Sequence, residues 1–318
     1  MKIALAQLNY HIGNFELNTQ KIIETIDKAK SGGAGLVVFS ELAVCGYPPR
    51  DFLEYDYFVN SCQQAINQIA AACTGIAAIV GAPSVNTQPA GKNLFNTAFF
   101  LADGQVKFKQ HKTLLPNYDI FDEYRYFEPN RSFDIVEYQN KRIALTICED
   151  LWNISPDPLY VMNPMEELAR LNPDIVINIA ASPFSYTQHE RRKEVLENNF
   201  RQYGIPIVYV NHVGAQTELI FDGGSMAMDR RGKIVLQLPF FEESMSWFDT
   251  EQASLPEDTM GSCSPTQLIF DALVLGIKDY FGKMGFSKAI LGLSGGIDSA
   301  LTLVLAAEAL GKENVLAV

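Results

Sequence analysis

Short runs rich in Val and Ile recur at residues 2–10, 35–41, 77–83, 142–149, 174–181 and 205–213, with stretches of helical periodicity near 15–30, 59–73, 163–172 and 187–204 between them. This alternation admits few folds. Strands that are apolar throughout are buried on both faces and belong in a sheet covered by helices, so the chain is expected to be α/β. Three further segments, around 94–110, 133–138 and 224–238, alternate in polarity or contain turn pairs such as Asp103-Gly104 and Arg231-Gly232, which predict hairpins and hence a mixed sheet. The pattern stops at 249–266, where acidic and small residues carry no apolar periodicity. That interval reads as a linker between a domain over 1–248 and a second piece over 267–318.

Composition excludes several classes of function. Hydrophobic residues make up 47% of the chain and charged residues 19%, which suits a sizeable core. The net charge of -12 argues against nucleic acid or an anionic membrane surface as the main partner. No apolar run approaches the roughly 18 residues of a membrane span. Met1-Lys-Ile-Ala-Leu-Ala reads into a strand rather than a signal peptide, so a cytoplasmic protein is expected. Cys45, Cys62, Cys73, Cys148 and Cys263 are scattered without a Cys-x-x-Cys pair, and His11, His111, His189 and His212 lack metal-ligand spacing. Neither a disulfide framework nor a zinc site is indicated.

The second piece predicts a helix over 267–285, a strand over 289–293, a helix over 299–310 and the opening of another strand at 315–318. Two parallel strands and two helices cannot cover their own apolar faces, so this is expected to be the first β-α-β unit of a larger, incomplete, doubly wound domain. Between the predicted strand and helix lies the turn Ser294-Gly295-Gly296-Ile297-Asp298, with Gly292 and Leu293 ending the strand and Ser299 opening the helix around a candidate ATP-binding loop. Glycines that let the backbone approach a ligand, followed by free N–H groups at a helix start, make an anion site in outline. The loop lacks the Gly-Lys-Ser/Thr of a Walker A motif and is not Gly-x-Gly-x-x-Gly. The alternative is an ordinary glycine turn between strand and helix.

In the first domain, Glu41, Lys112 and Cys148 each fall just past an apolar strand, where open α/β sheets build their sites. Together they would form an amide-cleaving centre: Cys148 attacks a carbonyl carbon, Glu41 carries its proton to the leaving amine, and Lys112 stabilises the tetrahedral oxygen. Lys112 nearby is expected to lower the Cys148 pKa. Read singly, Cys148 is equally a small core residue, Lys112 a solvated charge, and Tyr118 and Trp152 core aromatics. Ser182, before Pro183, could simply end its strand. Strand alternation points His111 away from Lys112.

The segments Phe39-Ser-Glu41, His111-Lys112-Thr-Leu-Leu-Pro116 and Cys148-Glu149-Asp150 resemble the nitrilase, or carbon-nitrogen hydrolase, superfamily over roughly residues 1–248. The resemblance implies a four-layer α-β-β-α sandwich, Glu123 as a supporting glutamate, and Tyr118, Glu149, Trp152, Ser182 and Gln188 around a glutamine substrate. Where Gln188 stands, that pattern has Lys or Arg, and Arg191 and Arg192 nearby are the candidates to hold the substrate carboxylate in its place. Ser294-Gly-Gly-Ile-Asp298-Ser299 resembles the pyrophosphate loop of the ATP pyrophosphatase group. This implies ATP with Mg2+ as co-substrate, Asp298 near the metal, and no tightly bound cofactor. The pairing of the two resembles amidotransferases of the NAD synthetase family, implying L-glutamine, ATP and deamido-NAD as small-molecule partners and a homo-oligomer. A stand-alone amidase acting on another amide and a non-catalytic scaffold are the alternatives.

Overall fold

The computed structural model describes residues 1–155, 157–251 and 264–318. Within them two six-stranded sheets pack against each other. The first runs in the order Ser244–Asp249, Lys2–Gln7, Leu36–Val38, Ala77–Val85, Leu94–Ala102, Gln105–His111. The second runs Ile234–Gln237, Met226–Met228, Ile207–Asn211, Ile175–Ala180, Lys141–Ile147, Val136–Tyr138. Each sheet has a parallel centre and antiparallel edges, the mixed arrangement expected.

The strand Lys2–Gln7 shows how the sequence produces the layers. Its side chains alternate between faces. Ile3 and Leu5 enter the core between the sheets with Leu145 and Ile177, whereas Ala4 and Ala6 meet Ile22 and Ile26 of the helix Phe15–Ser31. Both faces are therefore apolar, and the strand reads as a continuous hydrophobic run. Helices Phe15–Ser31 and Asp56–Ala72 cover the first sheet; Pro164–Arg170 and Gln188–Tyr203 cover the second. The result is a four-layer α-β-β-α sandwich. The expected hairpin at Asp103-Gly104 is present, with φ of 51° and 74°, the left-handed pair that a two-residue turn between twisted strands requires.

Three strands escape the sequence reading. Val213–Gln216 and Leu219–Asp222 form a separate short hairpin, and Ser244–Asp249 pairs antiparallel with Lys2–Gln7. The first sheet therefore runs one residue into the expected linker. At the linker's other end the helix Pro265–Met284 begins two residues early, with Pro265 in its first turn and Ser264 Oγ accepting the Gln267 amide at 3.2 Å. Residues 252–263 of that interval, Cys263 included, lie outside the described residues.

In the second piece, Ala289–Leu291 and Val315–Ala317 pair in parallel beside the helix Ile297–Leu310. Ala272, Leu305 and Ala306 are buried there, while Leu301 and Val304 are about half exposed. The helix Pro265–Met284 is fastened to the sandwich by polar bonds. Asp279 Oδ2 accepts from the Ala215 amide and Asn9 Nδ2, both at 2.7 Å, and Lys283 Nζ donates to Asn9 Oδ1 and the Ala215 carbonyl, both at 2.8 Å. No helix among the described residues is long and apolar enough to cross a membrane.

Candidate active site

Glu41, Lys112 and Cys148 come from three strand ends on two sheets and converge. Glu41 follows Leu36–Val38 and Lys112 follows Gln105–His111 in the first sheet; Cys148 follows Lys141–Ile147 in the second. The Glu41 segment can sit at its strand end because Gly81 lies behind it: a Cβ on Gly81 would stand 2.4 Å from the Leu42 nitrogen and 2.6 Å from the Ser40 oxygen. Glu41 is fully buried and fully bonded. Its Oε1 accepts from Lys112 Nζ at 2.7 Å and Asn96 Nδ2 at 2.7 Å, and its Oε2 accepts from the Ala181 amide at 3.0 Å.

Lys112 is equally buried and lies between two carboxylates, with Nζ 2.7 Å from Glu41 Oε1 and 2.8 Å from Glu123 Oε1. Tyr47 donates its hydroxyl to Glu123 Oε1 at 2.9 Å. Burial works against the ammonium, but Glu123 and Glu41 outweigh it and hold Lys112 well above the usual lysine range. Burial raises the Glu123 carboxyl, with Lys112 opposing it and Glu41 adding to the rise. His111 is turned away, as expected. It stacks on Phe95 at 4.1 Å, and Nδ1 meets Thr97 Oγ1 at 2.8 Å.

The strand expected to reach residue 149 ends at Ile147, and Cys148 opens a short 3-10 turn, Cys148–Leu151, with φ +42°. A side chain in this left-handed region costs on the order of 1–3 kcal/mol and persists only where surroundings enforce it. Asp150 supplies the enforcement: Oδ2 accepts the Ile147 amide at 3.0 Å, while Oδ1 accepts those of Thr113 and Leu114 at 2.9 Å each. Burial pushes its carboxyl up to about 7 against the pull of those amides. Lys112 pulls the Cys148 pKa down as expected, but it does not set the net direction. Burial dominates, Glu41 adds to it, and the Lys112 attraction only partly offsets them, so the thiol lies well above the usual cysteine range. Burial thus favours the protonated form of the Cys148 sulfur.

Cys148 opens onto a cavity of roughly 590 Å³. Tyr118, Glu149, Trp152, Ser182 and Gln188 all line it, together with Leu159, Arg191 and Glu218. Glu149 Oε1 accepts the hydroxyls of Tyr118 at 2.8 Å and Tyr160 at 3.0 Å, and burial raises its carboxyl. Of the two arginines considered for the substrate carboxylate, Arg192 is already committed. Fully buried, it pairs with Asp222 at 2.8 Å through both terminal nitrogens and donates to Ser182 Oγ and to the carbonyls of Ser182 and Pro183.

Asn96, Asp150, Tyr47, Tyr160 and the Arg192–Asp222 pair were absent from the sequence-derived site. Asp150 carried a signal: an acid two residues past the candidate nucleophile, in a segment about to be buried, needs donors. Asn96 interrupts an otherwise apolar strand pattern, which is a weaker sign of the same kind.

The glycine loop differs in its boundaries. The strand stops at Leu291 and the helix starts at Ile297, so Ile297, Asp298 and Ser299 belong to its first turn, with Gly296 at the cap and no side chain capping it. Gly295 has φ +81°, a conformation open to glycine. Ser294 Oγ and Ser299 Oγ lie 3.1 Å apart, and Gly292 and Leu293 lead into the loop from the strand. The uncapped amides and the two hydroxyls suit a phosphate group. No cluster of three or more metal-ligating side chains occurs among the described residues; the single Asp298 carboxylate suits a magnesium ion that arrives with its nucleotide.

Comparison with known proteins agrees with this geometry in both parts. A family described as carbon-nitrogen hydrolase matches residues 2–257, and one described as NAD synthase matches 269–318. The chain is similar to the glutamine-dependent NAD(+) synthetase of Synechocystis sp., 41% identical over 99% of this chain and 59% of the relative. The solved structure of glutamine-dependent NAD+ synthetase from Acinetobacter baumannii in complex with ADP superposes with a TM-score of 0.89 at 38% identity, covering 99% of this chain and 58% of that one. An amidase from Nesterenkonia sp. AN1, 23% identical with a TM-score of 0.68, covers 81% of this chain and 96% of its own, and shares the fold. The chain thus spans about three-fifths of the length of the curated relatives it matches. The first match runs the length of the sandwich that buries Glu41, Lys112 and Cys148, and by it this chain belongs to the carbon-nitrogen hydrolase family.

Proposed function

We propose that the chain carries the glutaminase half, and the opening of the ATP-dependent half, of a glutamine-dependent NAD+ synthetase. The observation that carries this reading is a buried Glu–Lys–Cys cluster opening onto a cavity with mixed polar and apolar walls, followed in the same chain by a phosphate-type loop. In the reaction, Cys148 Sγ bonds to the γ-carbonyl carbon of glutamine while its proton passes to Glu41. Lys112, held by two carboxylates, directs its remaining N–H at the developing oxyanion. Collapse breaks the carbon–nitrogen bond as Glu41 delivers the proton to the leaving amine, giving ammonia and a thioester. Water, deprotonated by Glu41, then attacks the thioester. The carbon–sulfur bond breaks, the thiol regains its proton and glutamate leaves.

Burial favours the protonated Cys148 thiol, and in this reading Glu41 takes its proton as the sulfur attacks the substrate carbonyl. The loop Ser294–Ser299 would hold the phosphates of ATP, with Asp298 near the accompanying magnesium ion. Ammonia would be consumed by adenylylated deamido-NAD on the ATP-dependent half. The deciding experiment measures ammonia release from L-glutamine by this chain and by Cys148→Ala, with labelling of Cys148 by an electrophilic glutamine analogue. Release and labelling that both vanish in the variant support the reading. Absence of both, repeated in the full-length enzyme with ATP and deamido-NAD, would sink it.

A further inference from the structure

We infer that Arg191 holds the α-carboxylate of the amide substrate, so that the cavity at Cys148 selects amides carrying a carboxylate over simple aliphatic amides. This inference rests on the glutaminase reading and deepens it by assigning the substrate's charged end.

The cavity needs a cation for such a substrate. The acidic side chains that line it are Asp119, Glu149 and Glu218, and among the described residues Arg191 is the only cationic side chain doing so. Lys112 is unsuited to the task, since it is fully buried and engaged by Glu41 and Glu123. Arg192, one position further along the helix, spends its guanidinium on Asp222, Ser182 and Pro183 and presents nothing to the cavity. Arg191 is the opposite case: exposed, at the cavity wall, and without an ion-pair or hydrogen-bond partner for its guanidinium among the described residues.

Its position on the helix adds a second reason. Gln188 and Arg191 are three residues apart, one turn of the helix Gln188–Tyr203, so they share a face, and both line the cavity. They lie in the first turn, and Thr187 at the cap makes no side-chain bond to the helix amides. A carboxylate there would meet the guanidinium, the Gln188 amide and the positive end of the helix together. Gln188 alone supplies no charge.

The test is steady-state ammonia release by the 318-residue chain from L-glutamine and from L-glutamine methyl ester, whose α-carboxylate is neutralised. We expect Arg191→Gln to raise KM for L-glutamine roughly ten- to a hundredfold, the range for a lost charged hydrogen bond, with kcat within about twofold. KM for the ester should be high in the wild type and unmoved by the substitution. Gln188→Arg in the Arg191→Gln background should recover most of the loss, which a merely structural role for Arg191 would not allow. An unchanged KM for L-glutamine in Arg191→Gln overturns the assignment while leaving the glutaminase reading intact. Hydrolysis of neither compound by the wild type, repeated in the full-length enzyme with ATP and deamido-NAD, would sink the glutaminase reading, and this assignment would fall with it.

Discussion

Asp150 Oδ1 accepts the backbone amide of Thr113 at 2.9 Å, so a carboxylate two residues past Cys148 grips the residue that follows Lys112. The same oxygen takes the Leu114 amide, and the other takes that of Ile147. One buried side chain thus sets the spacing between the strand ends that deliver Cys148 and Lys112. We expect Asp150→Asn, which turns one of these acceptors into a donor facing a backbone N–H, to cost about 1–3 kcal/mol of stability. Ammonia release should fall by more than tenfold. Urea unfolding and an ammonia assay on the same preparation check both parts, and wild-type values in either would refute the role.

Lys112 bridges two carboxylates with its ammonium buried. Replacing it with Met leaves Glu41 and Glu123 facing each other uncompensated, a change of the kind that costs about 3–5 kcal/mol. We expect Lys112→Met to be inactive and strongly destabilised, and Lys112→Met with Glu123→Gln to recover stability without recovering activity. Equal stability of the single and double variants would show that the charges are not coupled.

The raised Cys148 thiol gives a signed pH dependence. Below its pKa the sulfur is protonated and unreactive, so lifting the pKa shrinks the thiolate fraction at every pH below it. The rate of Cys148 alkylation by iodoacetamide should therefore still be climbing where an ordinary thiol, with a pKa near 8.5, has begun to level. Mass-resolved labelling from pH 6 to 10 measures the curve; a plateau below pH 8 would contradict the burial argument.

Gly81 makes room for the Glu41 segment, and a methyl group there collides with backbone rather than with a movable side chain. Gly81→Ala is expected to cost about 1–3 kcal/mol by overpacking. Its larger effect should be on kcat, because a shift of about 1 Å at a catalytic group can cost a hundredfold. A variant with normal kcat would show that the segment relaxes freely.

The layers were legible in the sequence because buried parallel strands leave a signature at every position, as Lys2–Gln7 does with Ile3 and Leu5 on one face and Ala4 and Ala6 on the other. Glu41, Lys112 and Cys148 were legible as polar residues set at the ends of such runs, helped by a resemblance to known segments. Their partners were not. The Ala181 amide that holds Glu41 is 140 residues away, and Asn96 is 55 away. No local pattern records which donor a carboxylate will meet. The Cys148 pKa escaped the sequence for a related reason: proximity to Lys112 follows from chemistry, but the burial that outweighs it is a property of the packed sandwich. Ser244–Asp249 was missed because an edge strand with one partner needs little apolar content.

Glu41 belongs to one sheet, yet its second oxygen is held by Ala181 of the other, across the same gap that Cys148 must face. Sliding one sheet along the other by a single strand residue, about 3.3 Å, would part acid from thiol while leaving every ladder within each sheet intact. On the glutaminase reading proposed above, ammonia release is then a caliper for inter-sheet registry. A substitution that loosens the seam between the sheets should silence the enzyme well before circular dichroism records any loss of strand or helix.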